Sequence, residues 1–313
     1  MTPHILRLGT RGSELALKQA EMVEAALRAA HPSLEVERVV IATTGDKRPD
    51  LRFKEFTDGD RLDKGIFTKE LELALEDQRI DIAVHSLKDV PTVLDGQFLI
   101  AAVLERAPIE DVLISRDGYT LQTLPQGAKV GTSSVRRIRQ IKWIRPDIEC
   151  VEIRGNVPTR IRKLQAGDLD AILLARAGLV RLNLLQGNTI VLDDLRLPAQ
   201  ILPCETFLPA AGQGAIGIEA RKDDSVTLAY LAAINHGHTF ARVSVEREFL
   251  HLLKAGCQTP IGAHTSIEDE TISFKAWVFD EADESAPPRE IQTSASLAQP
   301  LQAAVDAATG FIR

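Results

Sequence analysis

Cys257 lies in the run Ala255-Gly256-Cys257-Gln258-Thr259-Pro260-Ile261-Gly262, directly after an amphipathic stretch. Glycines at 256 and 262 and a proline at 260 punctuate a turn. The thiol is therefore either presented for chemistry or, as lone cysteines usually are, kept as a small buried hydrophobe. His251 and His264 on either side leave open a thiol hydrolase. A second place for chemistry is Lys88-Asp89, which comes after the short apolar strand Asp81-Ile82-Ala83-Val84-His85. The carboxyl ends of parallel strands are where open α/β sheets bind ligands, although an adjacent Lys and Asp can also be a plain surface pair. The third group is cationic. Arg11, Arg136, Arg137, Arg154 and Arg160 lie in or behind turns, and Ser13 and Ser134 open helices whose free N–H groups suit anions. A guanidinium grips a carboxylate with two parallel hydrogen bonds, so several arginines from different loops imply a small ligand with several carboxylates.

Charge distribution supports that reading. The 313-residue chain carries a net charge of −7, which argues against general nucleic-acid binding. Between Lys129 and Lys163, however, ten Lys/Arg stand against three acids, a local +7. Apolar content of 44% with 26% charged residues is that of a water-soluble globular protein. No apolar run approaches the ~18 residues of a membrane span, and Met1-Thr2-Pro3-His4 does not begin a secretory signal. A cytoplasmic location is expected. Cys150, Cys204 and Cys257 are widely separated and form no C-x-x-C pattern, which argues against a disulfide framework and a zinc site. His236-Gly237-His238 has no third ligand nearby and is expected to be a solvent-exposed loop, so no metal is expected.

These residues need a scaffold, and its grammar repeats. Ile5 to Thr10 reads as a strand; Ser13 caps a helix whose apolar face is Ala16, Ala20, Val23, Leu27 and Ala30. A second strand runs from Glu35 to Ala42. Residues 44–65 break the rhythm and are expected to form a flap, since loops of about twenty residues are usually functional or disordered. A helix over Phe67 to Gln78 leads to the strand ending at His85. Lys129-Val130-Gly131-Thr132-Ser133-Ser134 then echoes Leu8-Gly9-Thr10-Arg11-Gly12-Ser13, and the stretch Leu164 to Leu173 echoes Leu75 to Val84. The repeat implies two related α/β domains. A third region holds a helix from about Val243 to Lys254, a hairpin over His264 to Asp280 turning at Glu268-Asp269-Glu270, and a closing helix from Pro300 to about Thr309.

Taken together, six motifs in order resemble the hydroxymethylbilane synthase, or porphobilinogen deaminase, family. They are Gly9-Thr10-Arg11-Gly12-Ser13, Val84 to Pro91, Gly131 to Arg137, Arg154-Gly155-Asn156-Val157, Gly212 to Glu219 and Gly256 to Gly262, and they span nearly the whole chain. The resemblance implies two doubly wound, periplasmic-binding-protein-like α/β domains around a cleft plus a smaller α+β C-terminal domain. The expected boundaries are 1–104 with 213–233, 105–212, and 237–313. It also implies a dipyrromethane cofactor joined to Cys257 by a thioether, on which four porphobilinogen molecules condense head to tail with loss of ammonia. Carried onto this sequence, Asp89 is the catalytic carboxylate. The cofactor is held by Arg11, Ser13, Lys88, Asp89, Ser134, Arg136 and Arg137, and the substrate by Arg11, Ser13, Lys64, Phe67, Arg154, Arg160 and Gln213. A monomer acting on porphobilinogen, without nucleic acid or membrane, is expected. Two departures stand out: Ala255 precedes Gly256, and Leu62-Asp63 precedes Lys64, where the family usually has glycines. Paired α/β domains around a cleft also suit a non-enzymatic receptor for small anions, because fold does not fix function.

Overall fold

The computed structural model describes residues 5–43, 68–256, 259–283 and 286–312. The flap expected over 44–65, together with Lys64, Phe67, Cys257 and Gln258, lies outside the described residues. The chain forms two compact units, Met1–Ala107 with Ala215–Val243, and Pro108–Gly214 with Ser244–Arg313.

In the first unit a five-stranded sheet has the order Glu35–Val40, Ile5–Thr10, Ile82–Ser86, Ile216–Arg221, Phe98–Val103. Ile5–Thr10 is parallel to both its neighbours, whereas Ile216–Arg221 is antiparallel to both of its own. The helix Glu14–Ala30 buries Ala16, Ala20, Val23 and Leu27, the face expected from its periodicity apart from Ala30, which is exposed. Ala20, Val23 and Leu27 pack in one cluster with Leu6, Leu8, Ile82 and Ile218. Burying one such aliphatic side chain contributes about 1.5–3 kcal/mol, so the apolar stripe, more than helix propensity, fixes this element.

The second unit repeats the plan. Its seven-stranded sheet has the order Glu149–Val151, Lys129–Gly131, Ala171–Ala175, Asp111–Ser115, Leu195–Leu202, Thr189–Leu192, Leu185–Gln186. Lys129–Gly131 is parallel to both neighbours, and Asp111–Ser115 is antiparallel to Ala171–Ala175. The repeat read from sequence is therefore a repeat of strand pairing. In the first sheet the antiparallel strand arrives from residue 216 onward; in the second it precedes the repeat, at 111. The Gly-Thr that ends each leading strand has a packing reason. A Cβ at Gly9 would collide with Ile80, and one at Gly131 would sit 2.8 Å from Leu169 Cδ1 and 3.0 Å from Ile172 Cγ2.

The same unit carries an antiparallel meander, Ile261–Glu268, Thr271–Val278 and Arg289–Ser296, with Asp269 turning its first hairpin at φ 48°. Val245, Phe249, Phe274, Ala303 and Ala307 form its core beneath the helix Leu301–Ile312. One expectation needs correcting. The helix expected from Val243 spans Gly237–Leu252, because His236 caps it: its carbonyl accepts from Phe240 N–H at 2.9 Å and its Nδ1 from Thr239 N–H at 3.2 Å. His236-Gly237-His238 is thus a cap and first turn instead of a loop. Among the described residues no helix is long and apolar enough to cross a membrane, and no His/Cys/Asp/Glu group has a metal-binding arrangement.

Gly131→Ala should overpack the strand end and cost about 1–3 kcal/mol. A lowered urea midpoint at unchanged slope is the expected result, and an unchanged midpoint would show that Leu169 and Ile172 yield without penalty.

Candidate active site

The strand Ile82–Ser86 runs into the 3-10 turn Leu87–Asp89. Leu87 and Val90 are buried on either side of Lys88 and Asp89 and nail the turn down. Leu87 N–H donates to Ala215 O at 3.1 Å, and its side chain fits only because residue 217 is glycine, whose Cβ would lie 2.7 Å from Leu87 Cδ1. Lys88 is left half-buried and Asp89 exposed. Asp89 lines a pocket with Arg11, Ser13, Gln19, His85 and Ser86. Ser13 caps the first helix, its Oγ accepting from Ala16 N–H at 3.3 Å. Gln19 Nε2 donates to Ser86 Oγ at 2.9 Å, tying the helix to the strand end. A carboxylate, a guanidinium and a helix N-terminus thus converge on one space, an arrangement suited to a substrate that bears both carboxylates and a cation.

Beneath the pocket is a buried pair that the sequence reading did not single out. His85 Nε2 lies 2.9 Å from Glu219 Oε2, and Glu219 is fully buried. Its Oε1 has no partner among the described residues. Burial, and then the proximity of Glu219, push the Glu72 carboxyl above its ordinary value.

In the second unit the expected anion-binding residues divide. Ser134 N-caps the helix Val135–Ile144, and its hydroxyl makes no capping bond. Arg136 and Arg137, only 4% and 6% exposed, turn inward and share the fully buried carboxylate of Asp111, at 2.9 and 2.7 Å. Gln213 is also buried and donates to Asp111 Oδ1 at 2.9 Å and to Ile109 O at 2.7 Å. Burial by itself would raise the Asp111 carboxyl, but the two guanidinium groups outweigh it and hold it well below the usual range. Arg154 and Arg160 flank the turn at Gly155. Arg154 Nε donates to Glu152 Oε1 at 2.7 Å and Arg160 Nε to Gly155 O at 2.8 Å. Asn156 caps the helix Val157–Ala166 through Thr159 N–H at 3.0 Å.

Arg181 was not expected. It ends the helix Arg176–Arg181, Nη2 donates to Gly214 O at 2.8 Å, and its buried Nε has no hydrogen-bond partner among the described residues. Burial pushes its guanidinium down to about 10. A cation in such surroundings suits an anionic ligand. The signal was available, because aligning Leu164–Leu173 with Leu75–Val84 puts the segment after Ala175 where Leu87-Lys88-Asp89 comes after Ser86.

Around position 257 the described residues are ordered by two short hydrogen-bonded links. Gly256 N–H donates to Thr259 Oγ1 and Thr259 N–H to Gly256 O, both at 3.1 Å. Ala255, where the family usually has glycine, is buried with Phe249 and Ile261, so its methyl group is part of the core.

The family model described as porphobilinogen deaminase, dipyromethane cofactor binding domain, matches residues 6–229, and that of the porphobilinogen deaminase C-terminal domain matches residues 240–311. The chain belongs to the porphobilinogen deaminase family. Curated relatives extend the match. The porphobilinogen deaminase of Syntrophomonas wolfei is 43% identical over 95% of this chain and 94% of its own length. That of Moorella thermoacetica is 46% identical over 87% of this chain and 82% of its own. Some solved structures share a remote likeness. A probable amino-acid ABC transporter extracellular-binding protein from Bacillus subtilis aligns at 11% identity and TM-score 0.42 over 74% of this chain and 90% of that one, too distant to bear on the chemistry.

The family's cofactor is a dipyrromethane, an acetate- and propionate-bearing polyanion, and the residues present fit one. Arg136 and Arg137 keep buried Nε–H donors without an acceptor among the described residues, and with Asp111 they retain a single net positive charge.

Because Asp111 titrates lower in the folded chain than the ~3.9 of an unfolded Asp, its pairing stabilises fully above about pH 4, and that contribution is lost as pH falls further. Asp111→Asn should therefore cost about 3–5 kcal/mol at neutral pH. The gap in urea midpoint from wild type should narrow below about pH 4; a gap independent of pH would exclude this role.

Proposed function

We propose that Asp89 is the catalytic carboxylate and Cys257 the cofactor anchor of a hydroxymethylbilane synthase. The reaction is the head-to-tail condensation of four porphobilinogen molecules with release of four ammonia molecules, after which one water hydrolyses the tetrapyrrole chain from the cofactor as hydroxymethylbilane, in tetrapyrrole biosynthesis. The observation that carries the assignment is the pocket in which Asp89 meets Arg11 and Ser13, on a chain of this family.

When bound, the dipyrromethane supplies the pyrrole α-carbon from which the product chain starts. Arg11 and the helix N-terminus at Ser13 hold a carboxylate of the incoming substrate beside Asp89. Loss of ammonia from the aminomethyl group leaves a cationic azafulvene, and a fixed carboxylate stabilises that charge as it develops. Asp89 then takes the proton that the attacked α-carbon releases, and the departing ammonia removes it as ammonium. Arginines cannot serve as acids at neutral pH, so Lys88, Ser134, Arg136, Arg137, Arg154, Arg160, Arg181 and Gln213 serve binding and positioning. Lys64 and Phe67, outside the described residues, belong to the substrate set through the family resemblance alone. The three-domain division at 1–104 with 213–233, 105–212 and 237–313 is supported by the three separate sheets. We take the enzyme to be a cytoplasmic monomer.

Asp89→Asn should lower kcat by at least about a hundredfold, the usual range for a lost electrostatic or acid–base group, while circular dichroism stays that of the wild type. Near-normal turnover would refute the role. Intact-mass spectrometry of the chain from a porphobilinogen-producing host should show the mass of two linked pyrroles, absent from Cys257→Ser. An unmodified and inactive wild-type chain would favour an anion receptor instead.

A further inference from the structure

One buried carboxylate takes no part in the steps above. Asp111 begins a strand whose backbone is paired on both sides, Asp111 with Ala175 and Asp111 with Leu202, so its Cα is fixed. Arg136 and Arg137 reach it from the helix Val135–Ile144 on long side chains whose rotamers have to be frozen. The fixed group orients the flexible ones. Each guanidinium plane is set by two contacts through different nitrogens. Arg136 Nη1 donates to Leu208 O at 2.6 Å and Nη2 faces Asp111 Oδ2 at 2.9 Å. Arg137 Nη1 donates to Leu173 O at 2.9 Å and Nη2 to Asp111 Oδ1 at 2.7 Å. Both Nε–H groups are thereby turned to where they find no acceptor among the described residues, although buried. A charged donor buried without an acceptor is costly, and its natural complement is an anionic oxygen.

The charge count points the same way. Two guanidinium groups against one carboxylate leave room for one more negative charge. Without Asp111, two like charges would face each other out of water; burial and the nearby Arg137 already lower the Arg136 guanidinium. With a second internal carboxylate, no net attraction for a ligand would remain. Gln213, a neutral donor, fastens Asp111 without altering this balance.

We propose that Asp111, fastened by Gln213, is the positioning residue that presents Arg136 and Arg137 to one carboxylate of the pyrrole chain. Asp111 acts through the arginines and does not meet the pyrrole itself; the identity of the anion rests on the function proposed above.

The test is a double-mutant cycle on cofactor loading. Unloaded wild type, Asp111→Asn, Arg137→Gln and the double variant are incubated with porphobilinogen, and the appearance of the two-pyrrole mass is timed by intact-mass spectrometry, with circular dichroism as the check of folding. Asp111→Asn should slow loading by about tenfold, the size of a coupling worth one pKa unit. In the Arg137→Gln background the same change should slow it by less than about twofold, within the error of independent effects. A carboxylate needed only for folding would slow loading equally in both backgrounds, and that result, or wild-type loading by Asp111→Asn, would overturn the proposal. Should Asp111→Asn fold poorly, Gln213→Leu removes the neutral donor alone, and loading at the wild-type rate would overturn it as well. A wild-type chain that takes up no pyrrole mass sinks both this proposal and the function; normal wild-type loading with an indifferent Asp111→Asn sinks only this one.

Discussion

Placing a carboxylate out of reach of water is costly unless its charge is answered at close range, and in the second unit that requirement organises much of the packing. The helix Val135–Ile144 buries Arg136, Arg137, Arg139 and Gln140 beside Ile141, a face that hydrophobic burial could not hold against the sheet. Specific acceptors hold it instead. Asp111 answers two of the guanidinium groups, and the carbonyls of Leu173 and Leu208 each accept one further bond from them. Arg139 donates to the carbonyls of Asp280 and Asp283, past the end of the meander's second strand, so the same helix ties the α/β sheet to the C-terminal sheet. Trp143 extends the seam, with its ring 5.0 Å from that of Trp277.

The two repeats put one scaffold to opposite electrostatic uses. In the first, the strand Ile82–Ser86 ends in a turn that leaves a carboxylate exposed in a pocket, backed by a buried carboxylate–imidazole pair. In the second, the equivalent strand Ala171–Ala175 leads into Arg176–Arg181, and the surroundings are cationic. The segment that leaves the end of each strand thus sets the local chemistry, while the strand pairing stays the same, as expected when function lives in sites grafted onto a fold.

Much of this was legible in the sequence because it is local. Ser13 and Ser134 stand at helix starts, the apolar stripe of Glu14–Ala30 keeps helical period, and the Gly-Thr echo marks matching strand ends; the helix Val157–Ala166, by contrast, begins in what reads as a loop around Gly155. What escaped was long-range. Asp111 and Gln213 are 102 residues apart, and the ring of His85 meets Glu219 across 134. No periodicity links such pairs; only the return of Ile216–Arg221 to the first sheet and of Asp111–Ser115 to the second brings them together. The start of the helix Gly237–Leu252 was missed for a different reason. His236 is an uncommon cap, and a glycine at the first position reads as a break in the chain.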